Sequence, residues 1–212
     1  MLGGFSNRLN YYLEATASPE REYLRQIRAE TTEQVHSSHM LSGHHQGRLL
    51  SLISKLLRPK TILEIGTYTG YRALCLAEGL AEGGRLLTIE KDPRLSERIQ
   101  RNFNLAPFAS RIELLIGNAH EVLNGLDLQP DLVFIDADKR GYNNYFEVLV
   151  PRMPSGGVLL ADNVLWSGKV LDPGEDKKSL ALHHFNELVA KDPRVEAVIL
   201  PIRDGLTLIR KK

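Results

Sequence analysis

Ile62-Leu-Glu-Ile-Gly-Thr-Tyr-Thr-Gly70 decides the fold. With Thr61 it opens as a short apolar strand, turns at Gly66 and Gly70, and enters a helix starting near Tyr71. The same alternation continues outward, with apolar runs at Thr61 to Ile65, Arg85 to Glu90, Arg111 to Ile116, Asp131 to Asp136 and Gly157 to Ala161 separated by helix-like segments. Short apolar runs flanked by turn residues read as buried parallel strands, and their alternation with helices predicts an α/β sheet covered on both faces. Val195 to Leu200 and Leu206 to Ile209 are joined only by Pro201-Ile-Arg-Asp-Gly205. That link is too short for a parallel crossover, so the two runs pair antiparallel. The expected sheet has roughly seven strands, mostly parallel, with one antiparallel strand. Before Thr61 the pattern is helical at Glu20 to Glu30 and Gln46 to Leu57, and this region is expected to cover a ligand cleft or a partner subunit.

The 212 residues are most simply one domain, 1–212, with a helical N-terminal cover at 1–60 and an α/β core at 61–212. With 27 basic and 26 acidic residues the net charge is +1, which gives no global drive toward nucleic acid or an anionic membrane. No apolar stretch reaches the length of a membrane span, and the first residues lack a basic segment followed by a long apolar run. A soluble, cytoplasmic protein is therefore expected. The single cysteine, Cys75, forms no internal disulfide and lies in an apolar helix-like segment, which predicts burial rather than reactivity.

Three oxygen-bearing side chains fall where two neighbouring strands should end: Asp136 after one apolar run, Asp162 and Asn163 after the next. Ligands of open α/β sheets bind beside such carboxyl ends. Two carboxylates and an amide oxygen are hard donors, suited to Mg²⁺ above all, or to Mn²⁺ or Ca²⁺. At the first turn, Gly66 and Gly70 allow close approach of a ligand to the backbone, and Glu90 closes the second strand where a carboxylate accepts hydrogen bonds from ribose hydroxyls. A nicotinamide dinucleotide competes for this reading. The turn, however, has Gly-x-x-x-Gly rather than Gly-x-Gly-x-x-Gly, and Glu64 would repel a pyrophosphate while favouring a cationic or amine-bearing ligand. S-adenosylmethionine, a sulfonium with an ammonium group, meets both conditions. The histidines do not suggest a transition-metal site, because His44 and His45, like His183 and His184, are adjacent and cannot share a helix face.

Leu63 to Gly70, Phe134-Ile-Asp-Ala-Asp-Lys139, Ala161-Asp-Asn163 with Val164-Leu-Trp-Ser-Gly-Lys-Val170, and Asp204-Gly-Leu-Thr-Leu208 resemble the cation-dependent O-methyltransferases, which include the caffeoyl-coenzyme A and catechol enzymes. The resemblance extends over nearly the whole chain. It implies the class I, Rossmann-like methyltransferase sandwich and a homodimer. It also implies Asp136, Asp162 and Asn163 as metal ligands, with Asp136 bordering the cofactor and the reaction as well, and Lys139 as catalytic base. Met40, Glu64, Gly66, Tyr68, Gly70 and Glu90 become cofactor contacts, Met40 near the sulfur. Asn118-Ala119 takes the adenine-facing position, where Asp-Ala is usual; asparagine keeps an acceptor oxygen and loses the charge. Met40-Leu-Ser-Gly-His-His-Gln-Gly47 also departs from the Pro-Asp-Glu-Gly type of plant members.

Methyl transfer to a phenol requires the oxygen in line with the sulfonium and deprotonated, and a free phenol has a pKa of about 10. A divalent cation stabilises the phenolate and chelates two adjacent oxygens, which predicts a catechol-like small-molecule acceptor. Lys139 is placed to receive the proton, Asp138 to cap the following helix or support the site, and Trp166 to wall the acceptor. The rival classes are a nicotinamide-dependent oxidoreductase and a dimeric S-adenosylmethionine-binding module without turnover.

Overall fold

The structure, a computed structural model, describes residues 7–34 and 41–212. Met40, His36 and His39 lie outside the described residues. The chain divides into two compact units, one running to Leu126 and the other comprising Asp127–Lys212.

The first unit contains α1 (Asn7–Thr16), α2 (Glu22–Gln34), α3 (His44–Leu57), β1 (Thr61–Ile65), α4 (Tyr71–Ala77), β2 (Arg85–Glu90), α5 (Ser96–Phe103), β3 (Ile112–Ile116) and α6 (Ala119–Gly125). β2 pairs in parallel with β1 and with β3. Ile62, Leu63, Leu86 and the whole of α4 are buried, as continuous apolar runs in a parallel sheet require. α1 lies within the expected helical cover but was not singled out: it is only ten residues long, offers little beyond Leu9, Tyr12 and Leu13 at helical spacing, and is mostly solvent-exposed.

The second unit contains β4 (Leu132–Ile135), α7 (Tyr142–Leu149), β5 (Val158–Asp162), α8 (Lys177–Lys191), β6 (Val195–Leu200) and β7 (Leu206–Lys211). β4 and β5 are parallel, and β7 runs antiparallel to both β5 and β6. The seven strands have the order β3-β2-β1-β4-β5-β7-β6, mostly parallel with β7 the one reversed strand. β6 lies at the sheet edge and exposes Val198 and Ile199.

Register positions the polar residues. Ile135 stands opposite Ala161, so Asp136 and Asp162 emerge level with each other. In the first unit the pairing runs past the strand ends, with the Gly66 amide donating to the Ile89 carbonyl and the Gly117 amide to the Glu90 carbonyl, both at 2.9 Å. The residues following β1, β2 and β3 therefore lie side by side.

Candidate active site

Within Asp127–Lys212, Lys139 opens a short 3₁₀ turn, Lys139–Gly141, immediately before α7. Its ammonium donates to Asp136 Oδ1 at 2.6 Å, to Asn163 Oδ1 at 3.1 Å and to the Tyr142 hydroxyl at 2.8 Å. Lys139 is buried, and these acceptors offset the cost of taking an ammonium out of water. The Tyr142 hydroxyl donates onward to the Asp162 carbonyl at 2.8 Å, and its fully buried ring packs edge-on against Phe185 at 5.4 Å. Asp162, the last residue of β5, is also buried, and its Oδ1 accepts the Asn163 amide at 2.9 Å. Asn163 has φ 61°, a left-handed conformation that asparagine tolerates better than most residues.

These side chains fit a hard divalent cation. Asp136 and Asn163 already direct oxygens at one positive charge, and Asp162 adds a second carboxylate at the same level of the sheet. Among the described residues no group of three or more His, Cys, Asp or Glu forms a metal cluster, so the donor set depends on the Asn163 amide. Asp138 differs from expectation. It occupies the N-cap position without a side-chain capping bond and instead faces Arg140 at 3.5 Å, an exposed pair two residues apart.

Beyond Asn163 the backbone turns left-handed again at Trp166, with φ 46°, and at Ser167, with φ 55°. Lys178 Nζ lies 5.7 Å from the Trp166 ring centroid. The turn between β6 and β7 meets this segment: the Val164 amide donates to the Gly205 carbonyl at 3.1 Å, the Leu165 amide to the Asp204 carbonyl at 2.9 Å, and the Ser167 amide to the Asp204 carboxylate. Burial raises the Asp204 carboxyl above the ordinary carboxylate range, against the lowering effect of the Ser167 amide and of the Lys139 and Arg203 charges.

In the first unit, the turn after β1 has φ 99° at Gly66, 56° at Tyr68 and 86° at Gly70. A Cβ on Gly70 would come within 2.6 Å of the Phe103 ring, so both backbone and space demand glycine there. Glu90 closes β2 and uses both oxygens on this loop region, accepting the Tyr68 amide at 2.7 Å and the Asp92 amide at 2.9 Å. Glu64 is fully buried; it accepts the Thr88 hydroxyl and lies 3.7 Å from Arg72 Nε, while Arg72 Nη2 donates to the Gly66 carbonyl at 2.9 Å. The Glu64 charge is thus matched within the protein. Asn118 caps α6, its Oδ1 accepting the His120 amide at 3.0 Å, and Ala119 is the first helical residue. The Tyr68 hydroxyl is buried with no hydrogen-bond partner among the described residues, an unsatisfied group suited to a polar ligand.

Residues 14–212 match a protein family described as O-methyltransferase. The chain belongs to the O-methyltransferase family. Its relatives include a caffeoyl-CoA O-methyltransferase of Populus kitakamiensis, 35% identical with 95% of this chain and 92% of that protein aligned. A catechol O-methyltransferase of Niastella koreensis is also 35% identical, over 77% of this chain and 79% of its own length. Among solved structures, the O-methyltransferase TomG from Streptomyces achromogenes, in complex with SAM, superposes with a TM-score of 0.90 at 30% identity, covering 97% of this chain and 96% of that one.

Against this family background, sequence reasoning misses Arg72 and Tyr142. Arg72 follows the glycine turn directly, yet its pairing with Glu64 depends on how α4 leaves that turn. Tyr142 stands three residues after Lys139, a helical spacing that hints at contact but equally fits an ordinary core tyrosine. Cys75 is fully buried, and burial raises its thiol to about 12, consistent with an inert core position.

Proposed function

We propose that this O-methyltransferase uses S-adenosylmethionine and a divalent cation, Mg²⁺ first, to methylate one hydroxyl of a catechol-like small molecule, caffeoyl-coenzyme A being one such acceptor type. The observation that carries this reading is the single ammonium, Lys139, held between the oxygens of Asp136 and Asn163. It joins a candidate base to a hard-oxygen donor set.

Asp136, Asp162 and Asn163 are assigned to the cation. Glu64, Gly66, Tyr68, Gly70, Glu90, Asn118 and Ala119, with Asp136 and Met40, are assigned to S-adenosylmethionine. When bound, these groups supply an electrophilic methyl and a positive charge that stabilises the acceptor oxyanion. As the neutral amine, Lys139 Nζ takes the phenolic proton and becomes the ammonium, which the surrounding Asp136, Asn163 and Tyr142 oxygens hold. Glu90, oriented by two backbone amides, retains lone pairs for ribose hydroxyls, and the unpartnered Tyr68 hydroxyl offers a further polar contact. Trp166 walls the acceptor ring.

The expected outcome with labelled S-adenosylmethionine is methyl transfer to vicinal diphenols and at least about tenfold less to matched monophenols, because only a vicinal pair can chelate. Equal transfer to both classes would contradict the chelating role. We also propose a cytoplasmic homodimer. Among the described residues no helix is long and apolar enough to cross a membrane. Leu52 and Leu56, one helical turn apart on α3, are 53% and 84% exposed, an apolar face suited to a second subunit. Sedimentation of a monomer at micromolar concentration would remove that part of the reading.

A further inference from the structure

The Asp204-Gly205 turn has no part in the chemistry assigned above, yet it makes the bonds that fix the segment following Asn163. The Gly205 and Asp204 carbonyls accept the Val164 and Leu165 amides in succession, at 3.1 and 2.9 Å. The Asp204 carboxylate then accepts the Ser167 amide, the residue after Trp166. At φ 86°, Gly205 lies so close to Leu165 that a Cβ would run into that side chain. Trp166 and Ser167 hold left-handed backbone angles without the freedom of glycine, a conformation that persists only where neighbouring structure imposes it. Two carbonyls alone would hold Val164 and Leu165, before the left-handed pair. The Asp204 carboxylate reaches past Trp166 and closes the segment from its far side.

We propose that Asp204 is a positioning residue for the methyl acceptor: its carboxylate locks Ser167 and thereby sets the orientation of the Trp166 indole. The inference rests on the reading of Trp166 as the acceptor wall. It requires an acceptor oxygen at position 204 rather than a negative charge, because the bond made is to a backbone amide. Asparagine there should therefore substitute and alanine should not.

Trp166 is the only tryptophan in the sequence, so its fluorescence reports this segment without interference. In Asp204→Ala the emission should move to longer wavelength and acrylamide quenching should increase. The acceptor KM should rise about tenfold or more while the S-adenosylmethionine KM stays within about twofold, as expected when a positioning contact is lost away from the cofactor. Asp204→Asn should restore both readouts. Unchanged Trp166 fluorescence in a folded Asp204→Ala protein would overturn the lock. Altered fluorescence with an unchanged acceptor KM would instead overturn the link to the acceptor and with it the reading of Trp166. A parallel rise in both KM values, not rescued by asparagine, would reduce Asp204 to a general structural residue and overturn the proposal.

Discussion

Lys139 gathers three hydrogen-bond acceptors around one buried ammonium, so replacing it tests chemistry and electrostatics together. Lys139→Met keeps much of the side-chain volume and removes the base. The expected result is a fall in kcat of about 10²- to 10⁴-fold with the S-adenosylmethionine KM nearly unchanged, the usual contribution of a positioned base. Steady-state kinetics with a saturating vicinal diphenol would measure it, and a kcat within a few fold of wild type would remove Lys139 from that role. Asp136, Asp162 and Asn163 are legible in the sequence because strand ends are legible: each follows a buried apolar run, and parallel register makes the runs end level. The partner of Glu64 is not legible. A carboxylate in a buried strand announces the need for compensation, but Arg72 meets it from a helix whose direction is set by the turn at Gly66 to Gly70.

Elements in the first unit are joined by another buried charge. Glu78, at the end of α4, accepts hydrogen bonds from Arg48, Ser51 and Lys55 of α3 and from Tyr23 of α2. Burial alone would raise its carboxyl, but the bonds from Arg48, Lys55 and Ser51 outweigh that and lower it to about 2, from an ordinary value of 4.5. A depressed folded-state pKa stabilises the fold fully above the unfolded-state value and loses that contribution as pH falls through the folded value. Glu78→Gln should therefore cost about 2 kcal/mol at neutral pH, allowing for partial solvent screening, or roughly 5 °C in Tm. The difference should narrow between pH 4.5 and about 2. Thermal denaturation across that range checks it, and a pH-independent difference would show that the charge is not responsible. The central strands β1, β2, β4 and β5 were readable at this scale because burial on both faces leaves continuous apolar runs. α1 was not singled out, because a ten-residue segment with only Leu9, Tyr12 and Leu13 at helical spacing is a weak signal. Nor does sequence reveal that the β6–β7 turn grips Val164 to Ser167, a pairing of segments far apart in the chain.

For the whole molecule, the alternation of strands and helices was sufficient to anticipate the sheet, including the reversed strand, because the short Pro201 to Gly205 link permits nothing else. We propose that the chain acts as one domain, 1–212, since the family match runs across residues 14–212. The O-methyltransferase family is established by a match over residues 14–212, while the metal and the acceptor are proposals argued from the Asp136, Lys139, Asp162 and Asn163 arrangement. The most direct measurement is transfer of labelled methyl from S-adenosylmethionine to a vicinal diphenol by enzyme stripped with a chelator, before and after Mg²⁺ is restored, for wild type and Asp136→Ala. The account predicts loss of wild-type transfer on stripping, recovery with Mg²⁺, and no recovery in the variant. Full transfer by rigorously stripped wild type, or a variant as active as wild type, would contradict it.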